Sequence, residues 1–435
     1  MHILIIGGGA AGMSAASKAR RNDKNAEITV LESGNFVSYA QCGIPYYLSG
    51  KVSDPMNLIH YPVEEFRVKR NINVKTETYV KSVDTTEHTV TLHDNTAIHY
   101  DRLIIATGTR AKRLDFSIPD RVHSVRTLDE AIQIKRDLSG HQMGILGDGV
   151  LGLELASEFA EKDWEVTLFS KHERILPRVD PAVIIHMNED LSKKIRIIHF
   201  NSVNFKKDDS GKPIIVADRE EYCMDQLMVA IGTLPNTEFL KNSSIDMDAA
   251  GRIIVNDKME TSVENIYAAG DCAISINRID GQLQWNPLAQ VANKMGRVAG
   301  SNASGKRMDF KGSVGTTLVK ILDYEVGYCG FSEIEAKKRG FDPESKTVSG
   351  WSRAKYYSGG SEIIVKIVYD KTTLRLLGGE ICSKDNGAWR LNALETAVYS
   401  GMTTEELFYN DLGYTPPFGP VWDPIIICAS LSLRD

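Results

Sequence analysis

Two copies of one glycine pattern constrain this chain more than any other feature: Gly7-Gly8-Gly9-Ala10-Ala11-Gly12 and Gly147-Asp148-Gly149-Val150-Leu151-Gly152. Each follows a short apolar run, His2–Ile6 or Gln142–Leu146, and opens into a segment of helical character, Met13–Arg21 or one continuing to about Lys162. A second run, Glu27–Leu31 or Glu165–Phe169, closes each unit. The order strand, tight turn, helix, strand is that of a βαβ unit. Glycines at this spacing allow a tight turn, close approach of backbone to a pyrophosphate, and close helix-to-strand packing. An α/β chain with two dinucleotide-binding units is therefore expected.

The residues closing the two units differ. Glu32, followed by Ser33, ends the second strand of the first unit, where a carboxylate meets a ribose hydroxyl. The second unit ends Leu168-Phe169-Ser170-Lys171-His172, without the acid that would repel a 2′-phosphate. Ser170 is expected to donate a hydrogen bond and Lys171 to neutralise charge, so NADPH is accepted and preferred over NADH; a solvated charge at a strand end is the plainer reading of Lys171. Two nucleotide sites in one chain make chemical sense if one holds a flavin, FAD, and the other an exchanging nicotinamide that delivers hydride to it.

At 435 residues the chain is too long for one core, and three domains are expected. The net charge of −6 carries no Lys/Arg block, which argues against nucleic acid as a partner. No stretch approaches the roughly 18–20 apolar residues of a membrane span, and the start shows no secretory pattern, so a cytoplasmic enzyme is expected. Six cysteines, at 42, 223, 272, 329, 382 and 428, stand singly with no metal-ligand spacing. Any cysteine chemistry must come from one thiol. After about Gly312 the pattern changes to an antiparallel sheet with helices, with strands at Thr317–Ile321 and Ile363–Tyr369 and a helix near Gly387–Ser400.

Three further segments, Asp101–Thr109 (DRLIIATGT), Ala230–Asn236 (AIGTLPN) and Asn265–Cys272 (NIYAAGDC), resemble the recurring stretches of two-dinucleotide-binding flavoproteins. Phe36–Tyr47, FVSYAQCGIPYY, resembles the signature of the single-cysteine branch of the pyridine nucleotide-disulfide oxidoreductases, which holds coenzyme A disulfide reductases, NADH oxidases, NADH peroxidases and polysulfide reductases. The resemblance covers the whole chain. It implies an FAD domain of residues 1–113 and 257–312, an NAD(P) domain of 114–256, both Rossmann-like, and a C-terminal α+β dimerisation domain of 313–435. It adds Thr107, Gly108, Gly270, Asp271, Leu288 and Ala289 to the flavin site. To the nicotinamide site it adds Glu154 and Gly232.

The resemblance also implies the chemistry. Cys42, at or near a helix N-terminus, would have a lowered pKa and attack a small-molecule disulfide, retaining one half as a mixed disulfide that reduced flavin then resolves. In an oxidase or peroxidase the same thiol cycles through a sulfenic acid. Coenzyme A, as substrate or bound thiol, would meet Ser14, Lys18, Arg21, Ser38, Gln41 and Asn293, with Lys18 and Arg21 facing its phosphates; a solvated helix face is the alternative for that pair. Tyr356 and Tyr414 resemble tyrosines that reach the partner subunit's site in a homodimer, where a phenol protonates the departing thiolate. Interface packing is their plainer reading.

Several residues depart from the family pattern. Ser358 replaces a turn proline after Tyr356-Tyr357, and Trp422 stands where relatives carry a substrate-contacting Lys. Ala10 replaces the His of the peroxidases, which argues against that activity. No rhodanese-like domain is expected among residues up to Asp435, although polysulfide stays open as an acceptor. An NAD(P)H oxidase and a redox-responsive binding protein with little turnover are the rival readings.

Overall fold

Short apolar runs, two of them ended by the glycine loops, assemble into two five-stranded parallel sheets in the computed structural model, which describes residues 1–112 and 121–433. The expected boundary between residues 113 and 114 and the terminal Asp435 lie outside the described residues. The first sheet has the order Ile266–Ala268, Arg102–Ile105, His2–Ile6, Glu27–Leu31, Asn73–Lys75. Its strands are covered on both faces, and Ile3, Leu4 and Ile5 have no exposed surface, as a parallel sheet requires. The strand Ile266–Ala268 joins this sheet from far along the chain, pairing with Arg102–Ile105.

The second sheet repeats the arrangement with Arg196–His199, Glu165–Ser170, Gln142–Leu146, Gln226–Val229 and Val122–His123. Helices Ala10–Asn22 and Val150–Ala160 follow the two glycine loops. A third helix, Ala289–Ala303, lies on the first of these, and small residues let it come close: a Cβ on Gly296 or Gly300 would stand 2.1 Å from Ala11 O or 2.2 Å from Ala15 O.

From Thr317 on, the chain builds a five-stranded antiparallel sheet of order Thr317–Ile321, Tyr324–Gly330, Leu376–Ser383, Glu362–Asp370, Pro343–Trp351. Helices Leu391–Ser400 and Pro424–Leu431 pack on it. The helix expected near Gly387–Ser400 begins as a tight 3₁₀ turn, Gly387–Arg390, after Asn386 in the left-handed conformation. Among the described residues no helix is long and apolar enough to cross a membrane, and no cluster of His, Cys, Asp and Glu could hold a metal ion.

Candidate active site

One cavity of about 1610 Å³ is lined by the first glycine loop, the cysteine segment, the helix after the second glycine loop and part of the C-terminal sheet. Eleven residues expected at the flavin reach it: Gly7, Gly9, Ala11, Glu32, Ser33, Thr107, Gly108, Gly270, Asp271, Leu288 and Ala289. The glycines of the loop do different work. Gly7 has φ +107°, and a Cβ there would stand 2.2 Å from Ala106 O; a Cβ on Gly12 would stand 1.8 Å from Gly7 O, so Gly12 packs the loop and does not line the cavity. Gly9 has φ −77° and nothing within 4 Å of its would-be Cβ. Neither backbone angle nor protein packing demands glycine there. The open face suits a pyrophosphate drawn against the backbone at a helix N-terminus, so the residues fit a dinucleotide such as FAD.

Glu32 is fixed by two N–H donors, Gly8 and Gly34, each at 2.7 Å. Asp271 forms an ion pair with Arg126, a cavity residue that the sequence reading missed. Burial raises the Asp271 carboxyl above its ordinary pKa, and Arg126 opposes that. The Nε of Arg126 is buried and has no partner, a donor in the wall of the cavity. The readable signal beside it was the capping box Thr127–Glu130 that opens the next helix.

Cys42 sits on the 3₁₀ turn Gln41–Gly43, just before helix Ile44–Ser49, and lines the cavity with Ser38 and Gln41. The expected lowering of its pKa is corrected by the structure. Desolvation first, then the Glu154 carboxylate, push the thiol up, with Arg126 opposing. Cys42 is exposed, and the six-residue helix that follows it contributes too little positive potential to offset the nearby Glu154 anion.

Ser14 and Asn293 also line the cavity, and Ser14 Oγ donates to Asn293 Oδ1 at 2.6 Å. Arg21 reaches it but Lys18 does not. Two guanidiniums that sequence reasoning missed, Arg70 and Arg297, line the same cavity and are near enough to Arg21 to lower its pKa, after desolvation. Arg70 is braced against the rings of Tyr61 and Phe66 at 4.4 and 4.7 Å.

From the second unit, Val150, Leu151 and Glu154 line the cavity. Gly147, Gly149 and Gly152 repeat the geometry of the first loop: Gly147 has φ +114°, and the would-be Cβ of Gly149 meets nothing within 4 Å. These three, with Gly232, Ser170 and Lys171, stand outside the cavity wall. Direct donation by Ser170 is corrected: its side chain is fully buried, and the hydroxyl lies 2.9 Å from Asp148 Oδ2 and 2.7 Å from His172 O. Lys171 is exposed.

Tyr356 and Tyr414 come together, hydroxyl to hydroxyl, at 3.3 Å, and Trp422 stacks on Phe408 with ring centroids 6.2 Å apart. All three predicted residues are exposed, and none lines this chain's own cavity.

Two dinucleotide-binding units that open on one cavity with a thiol in its wall define a flavin- and nicotinamide-dependent thiol oxidoreductase. Residues 1–296 match the family model described as pyridine nucleotide-disulphide oxidoreductase, and residues 316–424 match the dimerisation domain of that family, so the chain belongs to it. It is an FAD-dependent enzyme that uses NAD(P)H. The chain is 37% identical to the NAD(P)H coenzyme A polysulfide/persulfide reductase of Pyrococcus horikoshii, over 98% of this chain and 97% of that one. It is 30% identical to the coenzyme A disulfide reductase of Staphylococcus aureus, over 96% of each. Among solved structures, the NAD-dependent persulfide reductase from A. fulgidus superposes with a TM-score of 0.94 at 33% identity, covering all of this chain and 83% of that one.

Proposed function

We propose that this enzyme reduces coenzyme A disulfide through Cys42. The observation that carries the reading is that the cavity holding the thiol also gathers Arg21, Arg70 and Arg297. Three guanidiniums in a wall suit a disulfide that carries phosphates, because forked N–H donors match phosphate oxygens. The Cys42 thiolate attacks one sulfur of the substrate, the substrate S–S bond breaks, and one thiol leaves and takes up a proton while the other half stays bonded to Cys42. Bound FAD supplies the two-electron link between NAD(P)H and this mixed disulfide. Two electrons and one proton then release the second thiol and restore the Cys42 thiolate. Thr107, Gly108 and Asp271 hold the flavin side, and Val150, Leu151 and Glu154 the nicotinamide side.

The domains divide as 1–113 with 257–312, 114–256, and 313–435, and the enzyme works as a cytoplasmic homodimer. The exposed aromatics Tyr356, Trp389, Tyr409 and Phe418 on the C-terminal domain support a partner there, and the bonded pair Tyr356–Tyr414 would face the partner subunit's Cys42 and protonate the leaving thiolate. A second acceptor, polysulfide or persulfide, is favoured by the activity named for the Pyrococcus relative. The test is anaerobic NADPH oxidation with coenzyme A disulfide, oxidised glutathione and polysulfide, with Cys42→Ser in parallel. Turnover with coenzyme A disulfide that the variant loses is the expected result; activity only in air moves the enzyme to an oxidase.

A further inference from the structure

The helix Ile44–Ser49 that follows Cys42 lies in the sequence between Glu27–Leu31 and Asn73–Lys75, two paired strands of the first sheet. Its apolar side chains nevertheless join the core of the second unit. Ile44, Tyr47 and Leu48 pack in one cluster with Leu128 and Ile134 of helix Leu128–Asp137 and with Leu153 and Phe159 of helix Val150–Ala160. The cluster beneath the first sheet, which holds Ile3, Leu4 and Ile5, contains none of the three.

The polar contacts run to the same side. Glu154 and Glu158 stand at i and i+4 on one face of helix Val150–Ala160, and Glu161 caps that face at i+7. Tyr46 Oη donates to Glu154 Oε1 at 2.9 Å and Ser49 Oγ to Glu158 Oε2 at 2.8 Å, while the Lys51 ammonium bridges Glu158 Oε1 at 2.7 Å and Glu161 Oε2 at 2.6 Å. Glu158 is the middle rung, 4% exposed and held by both Ser49 and Lys51. A carboxylate so buried is costly unless its oxygens are met, so the fold keeps these two partners in place. The helix bearing the glutamates is also fixed from another side. Leu322 N–H, in the turn between the first two strands of the antiparallel sheet, donates to the buried Ser157 Oγ at 2.6 Å. It is therefore the cysteine helix that follows the second unit. Before Cys42 the chain is held by the first unit, through Ser38 N–H on Gly8 O at 3.0 Å, so the thiol is slung between the two.

We propose that Glu158 is a positioning residue for Cys42: by holding Ser49 and Lys51 it clamps the cysteine helix to the nicotinamide-binding unit and so sets the thiol against Glu154 and the bound flavin. Glu158 lies outside the cavity wall and touches neither substrate nor cofactor. Without the clamp the thiol is displaced, whereas the nucleotide side of the cavity, formed by Val150 and Leu151 on the fixed helix, keeps its place. The proposal rests on the reading that Cys42 is the reactive thiol, and it is independent of the acceptor.

The test compares Glu158→Ala, Glu158→Gln and Ser49→Ala with the wild type, all flavin-loaded and anaerobic. With coenzyme A disulfide, Glu158→Ala is expected to lower kcat about tenfold through loss of its charge-assisted contacts, with KM and the rate of flavin reduction by NADPH within about twofold of wild type. Glu158→Gln keeps an acceptor for Ser49 and recovers most of kcat. Ser49→Ala frees the cysteine helix without changing any charge. Its iodoacetamide labelling, followed at the Cys42 peptide and needing no acceptor, should move to lower pH as the thiol leaves Glu154. An unmoved labelling profile overturns the proposal, and so does flavin reduction that falls in step with kcat, which would make Glu158 a support of the nucleotide site instead. A shifted Ser49→Ala profile in an enzyme that does not turn over coenzyme A disulfide upholds the clamp and sinks the acceptor reading alone.

Discussion

Tyr46 donates a 2.9 Å hydrogen bond to Glu154 Oε1, tying the cysteine helix Ile44–Ser49 to the helix that follows the second glycine loop. The bond holds a carboxylate beside the thiol. Burial raises the Glu154 pKa while the Tyr46 hydrogen bond opposes that, and the remaining negative charge raises the pKa of Cys42. Glu154→Gln removes that charge and keeps an acceptor for Tyr46. Its thiol is expected to alkylate several-fold faster near neutral pH, with the pH profile of iodoacetamide labelling displaced to lower pH. An unmoved profile would show that Glu154 does not set the thiolate population.

Cys42→Ser separates nucleotide chemistry from sulfur chemistry. The serine hydroxyl is a far weaker nucleophile and leaving group than a thiolate, so disulfide-dependent turnover should fall by at least about a hundredfold. Flavin content and flavin reduction by NADPH should be retained, because the nucleotide-binding residues are untouched. Rapid-scan absorbance of the anaerobic enzyme reads both at once, and substantial turnover without the thiol would remove Cys42 from the mechanism.

The guanidiniums around Arg21 predict a difference between acceptors. Arg21→Ala or Arg70→Ala should raise KM for coenzyme A disulfide about tenfold each, the loss of one charge-assisted contact, with little change in kcat. Inorganic polysulfide carries no phosphate, so its KM should move less than about twofold. Steady-state kinetics with the two acceptors decide this; equal losses on both would assign the arginines to packing.

What could be read from the sequence was local. The two glycine loops, the flanking apolar runs and the strand Ile266–Ala268 announce themselves because a tight turn against a parallel sheet needs particular residues at fixed spacing. The long-range features were hidden. Arg70 and Arg297 meet Arg21 only through packing of separate elements, and the sign of the Cys42 shift depends on Glu154, which another βαβ unit supplies. Ser170 looked like a nucleotide contact because its neighbours match a strand end; its inward turn depends on a carboxylate placed at Asp148 rather than after the strand. Arg126 carried no motif of its own, only a position just before a capping box.

Lys171 remains an exposed cation at the end of the same strand. Lys171→Glu places an anion where a 2′-phosphate would approach, so the ratio of kcat/KM for NADPH to that for NADH should fall about tenfold or more. The two nucleotides measured side by side, with coenzyme A disulfide as acceptor, check this. An unchanged ratio would show that the strand end does not meet the 2′ position.

Glu380 predicts a pH dependence of stability that owes nothing to catalysis. Its Oε2 accepts the Asp180 N–H at 2.7 Å, and it lies across the sheet from Lys366, whose Nζ contacts Asp180 and Glu333 at 2.5 Å each. Burial pushes the Glu380 carboxyl up to about 6, against the Asp180 N–H and the positive charges of Lys366 and Arg178, which act to lower it. The folded chain therefore holds this proton more tightly than the unfolded chain, where a Glu titrates near ~4.3. The stabilising contribution of the protonated form is fully present below that unfolded value and is lost as pH rises through 6. Above it, keeping Glu380 ionised in the fold costs on the order of 2 kcal/mol. Glu380→Gln keeps an acceptor for the Asp180 N–H and removes the charge, so the variant should match the wild type near pH 4, gain relative stability as pH rises to about 6, and hold that advantage above it. Urea unfolding midpoints from pH 4 to 8 measure it, and a difference that does not change between pH 4 and 6 would show that Glu380 does not titrate within the fold.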